Sequence, residues 1–181
     1  MGMSGGNPGI EMLLSRRSIR RFRDEDVPLD LVLRAIDVAR YAPSAKNSQP
    51  WRFIVINDRD ILDKLSRIHG GAIPLSRARV GIAVLANPDE SPTSYMVDAS
   101  LSAMYLWLAL HCLGLGAVWI QTLRNISEVK RILNIVDDMV PIAILAVGWP
   151  AERPRVRMRK GLEEVTYLNQ YGNKISNYRI P

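Results

Sequence analysis

The sequence predicts an α/β or α+β fold, and three observations predict it. Short runs rich in β-branched and aromatic residues alternate with stretches whose apolar residues recur every three to four positions. Hairpin signals between those runs are nearly absent, so helices should connect the strands. At 181 residues, 48% hydrophobic and 23% charged, the chain has the size and composition of one soluble domain with a real core.

The elements follow in order. A leader over residues 1–8 (M-G-M-S-G-G-N-P) reads as flexible, with no apolar signal segment, and a short helix follows over residues 9–15. Pro28 suits a first helical turn, and Leu29, Val32, Leu33, Ile36 and Ala39 predict a helix that stops before Pro43. Trp51–Ile56 reads as a strand. Asn57 or Asp58 can cap a helix running to about His69, which Gly70-Gly71 then breaks. Val80–Ala86 is a buried strand by composition, closed by Asn87-Pro88. Tyr95–Leu113 is a long apolar helix, Ala117–Gln121 a strand, and Ser127 is the expected cap of a short helix to about Leu133. Val140–Val147 supplies the last core strand, and a basic stretch then leads to a helix around residues 161–168.

Composition narrows the function. Ala99–Leu123 carries no charged side chain, but Ser100, Ser102, His111, Gly114, Gly116 and Gln121 interrupt it and no basic clusters bracket it. A helix apolar on all faces can instead be the buried centre of a protein or of a dimer. The single cysteine, Cys112, excludes an intrachain disulfide and fits a reducing, cytoplasmic setting; it is expected buried and inert. No metal site is expected, because the two histidines, His69 and His111, lack acidic or Cys partners at ligand spacing. Phosphate-loop and nucleophile-elbow motifs are also missing. That scarcity of acid–base groups suits a protein whose cofactor does the chemistry.

Four constellations remain. Five arginines lie between Arg16 and Arg23, in R-R-S-I-R-R-F, and Arg153, Arg155, Arg157, Arg159 and Lys160 form a second cluster. Guanidiniums offer planar, paired donors to phosphate, and the i, i+2 spacing of Arg157 and Arg159 puts both on one side of an extended chain. The plain alternatives are a solvated basic surface or a nucleic-acid-binding module. Against the latter, Phe22 is the one aromatic inside either cluster, where single-strand readers interleave stacking rings. Pro43-Ser44-Ala45-Lys46-Asn47-Ser48-Gln49-Pro50-Trp51 packs hydroxyls and amides before a strand; it is either an ordinary loop or donors and acceptors for a heteroaromatic edge. Gly114-Leu115-Gly116-Ala117-Val118-Trp119-Ile120-Gln121 is either a helix cap feeding a strand or a backbone edge laid against a flat ligand.

In order and spacing, R-R-S-I-R-R-F, A-P-S-A-K-N-S-Q-P-W, G-L-G-A-V-W-I and G-W-P-A-E with a following R-M-R resemble the nitroreductase-like FMN enzymes, over residues 12–170. The resemblance implies a three-layer sandwich with a central, mainly antiparallel sheet flanked by helices. It also implies an intertwined homodimer whose C-terminal arm, residues 162–181, packs on the partner. FMN would pass hydride from NADH or NADPH to a small acceptor such as a nitroaromatic or quinone, with ping-pong kinetics. Arg16, Arg17 and Ser18 would hold the phosphate and ribityl, with Arg159 and Arg157 closing on the phosphate. Arg20 would face the N1/O2 edge of the flavin, and Trp119, Ile120 and Gln121 would run along the ring, the Gln121 N–H toward N5. Pro43, Ser44, Ala45 and Asn47 would come from the other subunit. Larger members carry an asparagine against the ring before the second strand, and residues 70–79 offer none. A flavoprotein of this fold without turnover, for sensing or storage, is the near alternative.

Overall fold

The computed structural model describes residues 7–135 and 138–175. Four strands, β1 (Trp51–Ile56), β2 (Val80–Ala86), β3 (Gly116–Gln121) and β4 (Val140–Gly148), form one sheet in the order β1-β2-β4-β3. Every neighbouring pair is antiparallel although helices connect most of them, so the fold is α+β. The central strands carry near-continuous apolar runs because both their faces are covered: all of β2 is buried, and all of β4 after Val140.

Alternation decides which side chain faces which layer. Ile82, Val84, Leu145 and Val147 point to one face, where they pack with α2 (Leu29–Ala39) and α4 (Tyr95–Cys112). Ala83, Leu85, Ile144 and Ala146 point to the other, beneath α3 (Arg59–Leu65), a 3-10 segment over Gly70–Ser76 and α5 (Ile126–Ile132). The first helix, α1 (Pro8–Ser15), contributes no buried residue. No helix among the described residues is long and apolar enough to cross a membrane.

Several expectations need correction. Pro8 opens α1 instead of ending a flexible leader, because Asn7 Oδ1 accepts from the Gly9 and Ile10 N–H groups at 2.9 and 3.4 Å; residues 1–6 lie outside the described residues. In α2 the buried positions are Val32, Ala35 and Ala39, while Leu29 and Leu33 are exposed. The third helix is capped by Asp58, which accepts from Ile61 N–H at 3.0 Å, but ends at Leu65 instead of His69. The following turn keeps Ile68 buried, so the apolar period outlasts the helix. Ser127 caps nothing: α5 starts at Ile126 after Asn125, whose side chain instead donates to the Ile68 carbonyl at 3.0 Å. The helix expected over 161–168 is a single turn, α6 (Leu162–Val165). Cys112 is exposed, on the last turn of α4. Of the expected C-terminal arm, residues 176–181 lie outside the described residues.

Candidate functional site

Two loops of backbone pairing bring the arginine clusters together, although some 130 residues separate them in the chain. Residues 18–22 pass from the edge of β3 to the chain just after β4. Ser18 bridges Ala117 in parallel, Ile19 N–H donates to the Ala117 carbonyl at 3.0 Å, and Phe22 then bridges Pro150 antiparallel. Both approaches require glycine. A Cβ on Gly116 would lie 2.8 Å from Ile19 Cγ2, and one on Gly148 would lie 2.9 Å from Phe22 Cβ. Glu152 completes the junction, its Oε1 accepting from the Arg20 and Arg21 amides at 2.6 and 3.1 Å.

The result is a concavity of about 130 Å³ lined by Arg16, Arg17, Ser18, Arg20, Pro154, Arg155, Arg157 and Arg159. After Pro154 the alternate residues Arg155, Arg157 and Arg159 line the concavity, all three still exposed, while Val156 and Met158 between them do not. Among the described residues no carboxylate lies within ion-pairing distance of any arginine lining it. Arg16 is the extreme case. Its guanidinium lies 4.2 Å from the centre of the Trp107 ring, and its Nη1 is buried with no hydrogen-bond partner among the described residues. Burial, then the charges of Arg17 and Arg159, hold its pKa below the ordinary arginine value. A half-buried cation repelled by two others, with one buried donor unpaired among the described residues, is a costly arrangement that an anion would relieve. Arg17 is less free, because its Nη1 donates to the Leu14 and Arg16 carbonyls at 2.7 Å and closes the end of α1.

The strand edge is the second component. Ala117 presents its carbonyl outward to Ile19, and by the alternation of an antiparallel pair Trp119 and Gln121 present their N–H and C=O groups on the same outer side. Ile120 faces the opposite way with its side chain buried among the α3 and α5 residues, so it shapes the strand from behind. Upstream, Gly114 ends α4 at φ +79, with its own N–H on the His111 carbonyl and the Leu115 N–H on the Leu110 carbonyl. The glycine-rich stretch is therefore both a helix cap and a strand edge.

The loop at Pro43–Asn47 is strained and braced. Lys46, Asn47 and Gln49 all adopt left-handed φ, at 52, 57 and 48°, which costs roughly 1–2 kcal/mol for each non-glycine residue. Asp98, buried on the first turn of α4, holds the loop in place. Its Oδ1 accepts from Ala45 N–H at 3.2 Å and its Oδ2 from the Ser91 hydroxyl at 2.7 Å. Ser44 Oγ accepts from Gln49 N–H at 3.0 Å. Within one chain Pro43, Ser44, Ala45 and Asn47 do not line the arginine concavity, and neither do Trp119, Ile120 or Gln121.

Four residues are prominent in the structure without an expected role at the site: Trp107 under Arg16, Glu152 (the acid of G-W-P-A-E) behind Arg20, Asp98 behind the loop, and His69 against Gln121. Asp98, the lone acid in α4, was visible as a charge at the start of an apolar helix. The others act on backbone or on a distant side chain, which spacing does not reveal. Among the described residues no group of three or more His, Cys, Asp or Glu is placed to hold a metal.

Fold and site together define an α+β protein with an arginine-lined concavity beside a strand edge, and comparison with known proteins identifies the class. The chain matches the nitroreductase family over residues 13–84 and 72–149, and it belongs to that family. It is 33% identical over 153 residues to a Methanothermobacter thermautotrophicus protein assigned as an NADH dehydrogenase/NAD(P)H nitroreductase, covering 82% of this chain and 80% of that one. It is 31% identical over 180 residues to the oxygen-insensitive NADPH nitroreductase of Salmonella typhimurium, covering 91% of this chain and 75% of the other. The FMN-dependent nitroreductase of Clostridium difficile superposes with a TM-score of 0.83 at 28% identity, covering 90% of this chain and 99% of that one.

Proposed function

We propose that the protein is an FMN-dependent NAD(P)H oxidoreductase, one domain per subunit, working as a cytoplasmic homodimer with two composite sites. The observation that carries the reading is the buried Nη1 of Arg16, unpartnered among the described residues, within an arginine concavity that no described carboxylate lines. That donor set fits a terminal phosphate: paired planar N–H groups from Arg16, Arg157 and Arg159, the Ser18 hydroxyl, and Arg17 adding charge. The concavity is compact, whereas a nucleic acid needs an extended basic track with stacking platforms.

Bound FMN would take hydride from NADH or NADPH and return it to a small acceptor such as a nitroaromatic or quinone. This chain's residues bind and orient. Arg20, its amide fixed by Glu152, supplies a cation for the N1/O2 edge, where negative charge builds on reduction. The outward backbone at Trp119 and Gln121 offers a donor to the ring edge. The braced loop of a second subunit, with Pro43, Ser44, Ala45 and Asn47, closes the ring's other side. Donor and acceptor using one face in turn gives ping-pong kinetics. No general acid or base of the protein is called on.

The test is chromatography of pigment released on denaturation, followed by an anaerobic acceptor screen on the loaded protein. A yellow protein releasing FMN and reducing a nitroarene or quinone supports the reading. A colourless protein that refuses added FMN overturns it, and FMN binding without NAD(P)H oxidation leaves a storage or sensing protein.

A further inference from the structure

His69 follows the turn that ends α3 and bridges two backbone segments with its two ring nitrogens. Its backbone is extended, and Nδ1 accepts from the Gly71 N–H at 3.0 Å, capping the 3-10 segment. Nε2 lies 2.8 Å from the carbonyl oxygen of Gln121. An amide N–H only donates and a carbonyl only accepts, so both contacts are made by one species, the neutral ring with its hydrogen on Nε2.

The carbonyl that His69 grips is on the outer edge of β3, on the same side as the Gln121 N–H. The start of that edge is covered by Ile19, through the Ala117 carbonyl, and its far end is held by His69. A second clamp reinforces the first: Asn125 Nδ2 donates to the Ile68 carbonyl at 3.0 Å, so residues 68–71 and 121–125 are tied together twice. Gly70 and Gly71 are exposed beside this junction.

We propose that His69 is a positioning residue of the flavin site: its Nε2–H fixes the end of β3 so that the Gln121 N–H is presented at the flavin N5 edge. The proposal rests on the reading of that strand edge as the flavin edge. A donor to N5 favours whichever redox state it meets in better geometry, so a loosened strand changes the balance between oxidised and reduced flavin.

The two nitrogens have separable duties, which supplies the test. His69→Asn keeps an acceptor for Gly71 N–H, as in an Asn-capped turn, but is too short to reach Gln121. His69→Gln carries an amide N–H far enough out to replace Nε2. With FMN-loaded wild type, His69→Ala, His69→Asn and His69→Gln, the readouts are the midpoint potential and visible spectrum of the bound flavin, the FMN dissociation constant and the melting temperature. The ratio of affinities for reduced and oxidised FMN should change roughly two- to tenfold in Ala and Asn, the worth of one hydrogen bond, and return toward wild type in Gln. A tenfold change reads as about 30 mV for a two-electron couple. The melting temperature should follow the cap instead, better kept by Asn than by Ala. Return of the potential with Asn but not with folded Gln overturns the proposal and leaves His69 a turn cap. A potential and spectrum indifferent to residue 69 overturn it equally. Wild type that takes up no FMN overturns the flavin reading itself, a different result from either.

Discussion

The two faces of the sheet differ in how completely they are finished. Under α3 and α5 the layer closes on itself: Leu62, Leu65, Leu75, Ile120 and Ile144 are buried to within 1% exposure. Arg59 ties α3 to the 3-10 segment by donating to the Leu75 and Ala78 carbonyls at 2.8 and 2.9 Å. On the other face α4 buries Ala99, Ala103, Leu106 and Leu110 against the sheet, yet its opposite flank leaves Met96, Val97, Leu101 and Tyr105 in the open. Leu33 and Val38 of α2 and Leu13 and Leu14 of α1 are exposed as well, and Met12, Val38 and Tyr105 line one apolar groove between these helices. Arg16, whose guanidinium lies on Trp107 of α4, and the strained Lys46–Gln49 loop, tied to Asp98 of α4 through Ala45, belong to this side as well. One face stores stability and is complete in a single chain. The other leaves apolar side chains exposed, and the proposed reading assigns that surface to a second subunit and a phosphorylated cofactor.

The sharpest way to break that contrast is complementation. One variant carries Arg16→Glu and the other carries Ser44→Trp with Asn47→Trp, each inactive as a homodimer. In a mixed dimer with composite sites, one site collects both defects and the other is wild type. Activity should reappear in proportion to the mixed species, from essentially none in either parent. No recovery from a verified heterodimer would mean that each site lies within one chain, and the unfinished face would then need another explanation.

Next in size is Arg16→Met. Losing one charge-assisted pair of bonds, about 1.5–3 kcal/mol, weakens FMN roughly ten- to a hundredfold. The apoprotein should melt no lower than wild type, because the change removes a buried, unpartnered donor and a cation repelled by its neighbours. A fall in both affinity and apo melting temperature would mark Arg16 as structural. By contrast, Leu65→Ala on the finished face should cost about 2–5 kcal/mol of stability and leave the FMN contacts intact in the protein that remains folded.

Local pattern made most of the fold legible and left the site's supports hidden. The strands Trp51–Ile56 and Val80–Ala86 were readable to the residue, because apolar runs bounded by turn residues have few other uses. The third helix was overdrawn, since Ile68 stays buried after the chain has left the helix. The antiparallel order β1-β2-β4-β3 could be expected only from family resemblance; helical connections alone suit either direction. Arg16, Ser18 and Asn47 stood out as residue types in a motif. Trp107 and His69 did not, and Glu152 stood in the G-W-P-A-E motif without a role, because a ring under a guanidinium or a side chain on a backbone amide leaves no periodicity in sequence.

A smaller effect tests how the edge strand seats the arginines. Gly116→Ala places a methyl against Ile19, whose amide holds the arginine segment on β3 at Ala117. Overpacking of this kind costs about 1–3 kcal/mol. The strain should be relieved by pushing the arginine segment outward, so FMN affinity should fall along with the melting temperature. Gly70→Ala, where a Cβ meets nothing within 4 Å, is the control and should change neither by a comparable amount. Equal effects at both positions would remove the argument from close approach.

The smallest expected effect is a titration. His111, near the end of α4, donates from Nε2 to Ser15 Oγ at 2.8 Å, since that hydroxyl spends its own hydrogen on the Met12 carbonyl at 2.9 Å. Burial, then the charges of Arg16 and Arg17, push its pKa below the ordinary histidine value. The folded state therefore resists protonation more than the unfolded state does, and the unfolded state binds more protons just below about pH 6.5. Stability should consequently rise with pH across that window, and the penalty should grow as pH falls until the folded His111 itself takes a proton. His111→Gln should flatten this dependence. A phosphate dianion beside Arg16 and Arg17 would offset the two cationic causes and leave burial untouched, so FMN should raise the His111 pKa only part of the way back. Proton NMR of the imidazole, with His69→Gln to remove the other histidine signal, reads the shift directly. An upward shift with FMN, matched in direction by inorganic phosphate, places the anion beside these arginines. No movement with saturating FMN would put the phosphate elsewhere and detach the arginine cluster from the cofactor.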